Sequence, residues 1–143
     1  MTSIGFQTFY ECAGLTSLII QSGVKNIDEN AFRDCTSLTS ITIPSSVKSI
    51  GGYAFSGCTS LAYFKFEGDA IGESSYVLSS TPNLSCVYIN PDATGWSSTW
   101  GGKPVVKVSS IDSSVKYGET PLIKINLGEI TIYSMFIGDE QLF

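Results

Sequence analysis

Residues recur at a spacing of 23 through the first two thirds of this chain, and that period constrains the fold more than any other feature. Ile4, Ile27 and Ile50 form one column, Phe9, Phe32 and Phe55 a second, and Cys12, Cys35 and Cys58 a third. Leu15, Leu38, Leu61 and Leu84 carry a fourth column through four copies. Leu18, Ile41, Phe64 and Val87 follow, then Ile20, Ile43, Phe66 and Ile89. A fixed period of this length marks a stack of small units, each unable to bury its own apolar face and each completed by its neighbour.

Every unit reads as two halves. Leu38–Ile43, L-T-S-I-T-I, ends in the alternation of a strand with one buried face. Ile50–Cys58, I-G-G-Y-A-F-S-G-C, is compact and glycine-rich, and returns the chain across the other side. No helix-length amphipathic pattern fits between strands, so the return is predicted as turns, 3-10 pieces or extended chain. The predicted fold class is therefore a β-rich solenoid of 23-residue units.

The stretch from Leu38 to Ser60, L-T-S-I-T-I-P-S-S-V-K-S-I-G-G-Y-A-F-S-G-C-T-S, resembles the BspA-like class of leucine-rich repeats. Three units fit that pattern, and the resemblance covers roughly two thirds of the chain. It implies a leucine-rich-repeat solenoid, and a surface protein for which adhesion is the usual proposal. The fourth unit departs from the pattern: Leu84, Val87 and Ile89 keep the strand, but Leu78, Thr81 and Glu73 stand in the Phe, Cys and Ile columns. Terminal repeats are expected to be atypical. The solenoid is placed at 1–95, about four repeats with the first incomplete. A capping or linker segment follows at 96–104, where Trp96 and Trp100 are positioned to cover the end of the core.

Residues 105–143 form a β-hairpin-rich C-terminal segment on this reading. Val105–Val108, Leu122–Ile125 and Ile130–Tyr133 are β-rich runs. Leu127-Gly128-Glu129 with Ile132-Tyr133 recurs ten residues on as Ile137-Gly138-Asp139 with Leu142-Phe143, each copy read as strand, Gly-acid turn, strand.

Catalytic chemistry is hard to assemble from these residues. The chain has no histidine, which removes Ser-His-Asp and Cys-His arrangements. The carboxylate pairs Asp28/Glu29 and Asp139/Glu140 read as solvated turn residues rather than a general acid and base. Stacking sets Cys12, Cys35 and Cys58 about 4.8 Å apart, a spacing that does not by itself exclude a disulfide. Three thiols in a ladder leave one over and do not converge on a metal, so buried free thiols are the favoured reading and no metal or cofactor is expected. Cys86 falls in an outward column. The eight basic residues are scattered singly against 13 acidic ones, giving a net charge of −5 and no stripe for a nucleic-acid backbone. Without a run of about 18 apolar residues, no membrane-spanning helix is expected.

What remains is surface. The outward strand columns read Ile19, Thr42, Lys65, Tyr88, flanked by Ser17, Ser40, Tyr63, Cys86 and by Gln21, Pro44, Glu67, Asn90. Tyr63, Lys65, Glu67 and Tyr88, with Thr42, form the candidate binding patch, tyrosine being well suited to interface anchoring. The expected function is non-catalytic recognition or adhesion, binding protein or glycan on the strand face, at the cell surface or outside it. The N-terminus carries no signal peptide, so the chain is read as a piece of a longer precursor. The alternative is a structural subunit of a surface appendage or phage-like assembly. In that reading the β-rich tail and an open repeat end, with Ile4 and Phe9 partly uncovered, are assembly elements.

Overall fold

The computed structural model describes residues 2–108 in full and, beyond them, the backbone of the strands within 112–141. In chain order the first strands are β1 (Ser3–Ile4), β2 (Asn26–Ile27), β3 (Ser40–Ile43), β4 (Ser49–Ile50), β5 (Tyr63–Phe66), β6 (Val87–Ile89), β7 (Thr99–Trp100) and β8 (Lys103–Val108). Two parallel ladders result. One joins β1, β2 and β4, with Ile4 opposite Ile27 and Ile27 opposite Ile50. The other joins β3, β5 and β6, with Thr42 opposite Lys65 and Lys65 opposite Tyr88. Every pairing steps by one period of 23, so the sequence columns are the stacking columns of a helix-free β-solenoid of about four coils.

The return side is held in the same way. Phe9, Phe32 and Phe55 donate their amides to Ala31, Ala54 and Val77 carbonyls at 2.8 to 3.0 Å. Two positions per coil adopt the left-handed region. They are Gln7, Asn30, Tyr53 and Tyr76, at φ 55 to 58°, and Glu11, Asp34, Gly57 and Ser80, at φ 54 to 75°. This conformation accompanies amides aimed at the next coil: Asn30 N–H reaches Gly52 O at 3.1 Å, and Asp34 N–H reaches Ser56 O at 2.8 Å. A non-glycine residue is rarely held this way, and a bulky one more rarely still. In the first three coils stacking supplies the bonds that hold it.

Alternating strand positions and the return aromatics fill one core. Phe32, Phe55 and Phe64 are fully buried, as are Leu38, Leu61, Cys35 and Cys58, and Leu84 nearly so. Phe32 lies between Phe9 and Phe55, stacked at 5.1 and 5.0 Å. The first coil is thinner. Phe9, Cys12, Leu15 and Leu18 pack against the core but are only partly buried.

Three expectations need correction. The strand pattern at Leu18–Ile20 yields one isolated bridge, Ser17 to Ser40. Ile4, expected to be partly uncovered, is 5% exposed: it shares the wall of an end cavity of about 470 Å³ with Ile20 and Val24, both buried. Phe9 is partly buried on the same wall. Pro44 was assigned outward but is buried. Alternation holds only within β3, which ends at Ile43, and Pro44 opens a turn closed by Val47 N–H to its carbonyl at 3.1 Å.

The chain divides into two compact units, Met1–Val105 and Val106–Phe143. In the second unit, β9 (Asp112–Tyr117), β10 (Thr120–Leu127), β11 (Ile130–Ser134), β12 (Phe136–Ile137) and β13 (Glu140–Gln141) are strands. β10 and β11 pair antiparallel from Leu127 opposite Ile130, and β12 and β13 from Ile137 opposite Glu140. These strands flank the two Gly-acid positions of the short repeat. Gly128, Glu129, Gly138 and Asp139 themselves lie outside the described residues.

Candidate recognition surface

The strand ladder turns Ser40 and Thr42 of β3, Tyr63 and Lys65 of β5 and Tyr88 of β6 toward solvent. Tyr63 and Tyr88 stand in adjacent coils two residues out of register, since Tyr88 lies opposite Lys65, and their rings stack at 5.2 Å with planes 24° apart. Lys65 lies opposite both Thr42 and Tyr88 in the ladder and is half-buried, as Thr42 is. Glu67, just past the end of β5, is exposed. Tyr63 is 38% exposed and Tyr88 half-buried, so each ring offers one edge and a hydroxyl. Burial, then the Glu67 carboxylate, raises the Tyr63 phenol. Tyr88 is pushed up to about 12 by burial and by its hydrogen bond with Cys86. Both phenols therefore stay protonated at neutral pH and are available as donors. The five patch residues share one face, with the two tyrosines as its rigid centre.

The thiol column is structural. All four cysteines are unpaired, and Cys35 and Cys58 donate S–H to the Phe9 and Phe32 carbonyls at 3.0 and 3.1 Å. Burial pushes Cys35 up to about 11 and Cys58 up to about 12, so neither is a nucleophile near neutral pH. Cys12 and Cys86 are half-buried. Among the described residues no cluster of His, Cys, Asp or Glu is arranged to hold a metal. Asp28 and Glu29 are exposed turn residues, while Asp139 and the side chain of Glu140 lie outside the described residues.

At the far end of the coil two indoles close the core. Trp96 packs on Phe66 at 4.7 Å, and Trp100, 2% exposed, on Phe66 at 4.8 Å and Phe64 at 5.8 Å. Their N–H groups bond the Gly68 and Ile71 carbonyls at 3.3 and 3.2 Å, so neither indole donor is left buried and unpaired. Larger rings at Phe64 and Phe66, where earlier coils carry Ile41 and Ile43, build the platform on which the indoles sit.

These columns, the register and the cap coincide with a known repeat. The model for the BspA type leucine-rich repeat region matches residues 1–99. The chain belongs to the BspA-type leucine-rich repeat family. That model counts 6 copies in a span where a 23-residue coil fits about four times, so a copy overlaps its neighbours or is shorter than a coil. The BspA-type solenoid is a repeat scaffold of the interaction kind. No curated protein and no solved structure matches this chain. Among the described residues no helix is long and apolar enough to cross a membrane.

Sequence reasoning missed a second aromatic pair, on the return side of the BspA-type coil. Tyr53 and Tyr76 stack at 5.1 Å, with the Arg33 guanidinium 5.2 Å from the Tyr53 ring centre. The signal was present in the period itself. Gln7, Asn30, Tyr53 and Tyr76 are one column, and a column that holds an asparagine in one coil and tyrosines in two others is neither core nor ordinary turn.

Proposed function

We propose that this chain is a non-catalytic recognition or adhesion module that binds protein or glycan through the strand face of its repeat array. The observation that carries the reading is the stacked Tyr63–Tyr88 pair, held by two coils and flanked by Lys65, Glu67 and Thr42. Rigid amphipathic rings beside one cation and one carboxylate are the composition of an anchoring patch. The absence of histidine supports a module without hydrolytic chemistry. A module of this kind serves outside the cell or on its surface.

The test is binding to a panel of immobilised glycoproteins, each presented before and after enzymatic removal of its glycans. Wild type is expected to bind at least one of them. Tyr63→Ala combined with Tyr88→Ala should weaken that binding at least tenfold while leaving the thermal melt within a few degrees. Unchanged binding by the double variant would place the contact elsewhere. Loss on deglycosylation identifies glycan as the ligand, and persistence identifies protein.

A second reading is favoured by one specific observation. Phe6, 60% exposed, and Ile19, 88% exposed, are large apolar residues of the first coil, and Ile19 lines the end cavity beside Ile4 and Phe9. Such a patch suits self-association, and with the β-rich tail it supports a structural subunit of an appendage or phage-like assembly. Concentration-dependent growth in light scattering favours that reading, and a stable monomer the first.

A further inference from the structure

The last coil differs from the three before it in what its left-handed amides meet. Gln7, Asn30 and Tyr53 N–H each donate to the next coil, to Glu29, Gly52 and Ser75 carbonyls at 3.3, 3.1 and 3.0 Å. Glu11, Asp34 and Gly57 N–H do the same, to Arg33, Ser56 and Ser79 carbonyls at 2.8 to 2.9 Å. Tyr76 and Ser80 occupy the same two columns with the same left-handed φ of 56°, yet their amides have no acceptor among the described residues.

Of the two, Tyr76 borders a cleft rather than a flat end. A cavity of about 470 Å³ lies between Glu73, Ser75, Tyr76 and Ser79 on the last coil and Gly101 and Gly102 on the capping turn. Its size is that of a small-ligand pocket. Tyr76 is 65% exposed, with one ring face on Tyr53 and the other open. Glu73 stands where earlier coils bury isoleucine, and it is exposed, with no hydrogen-bond or ion-pair partner among the described residues. Gly101 and Gly102, at φ 59° and 80°, line the opposite wall without side chains. A tyrosine held in the left-handed region is strained, and strain of this kind collects where a side chain is presented for use.

We infer that this cleft is a saccharide-binding site, separate from the strand face. The chemistry selects the ligand class. An open aromatic face takes the C–H face of a pyranose ring, the free Tyr76 amide takes a ring or hydroxyl oxygen, and a lone carboxylate takes hydroxyl donors. A phosphate-bearing ligand is opposed by Glu73 and by the net charge of −5.

The inference is tested on the whole chain, isotopically labelled, by amide chemical shifts during titration. The sugar probes are glucose, galactose, mannose, N-acetylglucosamine and their common disaccharides, with trimethyllysine and adenosine as comparators. At least one sugar should shift the Tyr76, Gly101 and Gly102 amides in the millimolar range or tighter. Tyr76→Asn should weaken it at least tenfold with the fold kept, since Asn30 already holds the equivalent place two coils earlier. Glu73→Gln should weaken it severalfold, and Tyr63→Ala should leave it unchanged. The site is not a saccharide site if no sugar moves those amides, if Tyr76→Asn binds as wild type does, or if a comparator binds there more tightly than every sugar.

Discussion

Phe32→Asp leaves the solenoid without a cooperative melt. Phe32 is fully buried and is the middle ring of a three-ring stack, so its loss opens contacts on both sides at once. Truncating a buried phenylalanine costs about 3–5 kcal/mol. An unpaired carboxylate in its place adds several kcal/mol more, against a total domain stability of about 5–15 kcal/mol. Leu38→Asp is expected to do the same, being equally buried. Thr42→Asp, half-exposed and opposite Lys65 in the ladder, should move stability by no more than about 0.5 kcal/mol. Circular-dichroism melts rank the three. A Thr42 variant less stable than the Phe32 variant would reverse the assignment of inside and outside.

Alkali should destabilise this protein well before its tyrosines dominate. The Cys58 thiol is raised from an ordinary 9.0 to about 12, first by burial and then by Cys35, with Asp34 acting in the same sense. An acid whose folded value is raised keeps its proton in the folded chain while the unfolded chain releases it. Its contribution is complete below about pH 9 and is lost as pH climbs toward 12. The loss runs at about 1.4 kcal/mol per pH unit for one proton. Cys35, raised to about 11, has the same sign over a shorter window, and Tyr88 joins above the ordinary tyrosine value of 10.0. Urea unfolding at steps from pH 8 to 11 measures the slope. Cys58→Ser keeps a hydroxyl donor for the Phe32 carbonyl but has nothing to ionise, so its profile should be flatter than wild type. Parallel profiles would mean that the thiol is not shielded in the folded state.

Much of this architecture was legible because stacking copies each residue onto the one 23 positions later. Ile27, Phe32, Cys35 and Leu38 could be read as core without knowing any angle, since a column that stays apolar through successive coils has to face inward. The tyrosine patch followed from the period-2 rule inside β5 and β6. Past the end of β3 the rule fails at Pro44, which is buried, although it holds at Glu67 past the end of β5. The left-handed columns were harder to see. Asn30, Asp34 and Gly57 carry the usual signals for that conformation, whereas Tyr53 is held there by an inter-coil hydrogen bond that no local pattern encodes, and Tyr76 and Ser80 repeat the conformation in the last coil without one. Trp96 and Trp100 were recognisable as a cap from their place after the fourth repeat and from the resemblance to BspA-like arrays, but Gly101 and Gly102 needed the fold to become one wall of a cleft.

The ladder geometry also limits how firmly the strand face can hold anything alone. Four coils at about 4.8 Å stand roughly 19 Å high, and four strand residues at about 3.3 Å span roughly 13 Å. The resulting patch of about 250 Å² is less than a third of the roughly 800 Å² that each partner contributes to a stable protein complex. A single copy of this face is therefore sized for a short peptide or a few sugar rings, with brief occupancy. Tight attachment through it would have to come from avidity, many such faces on one surface engaging a repetitive target together.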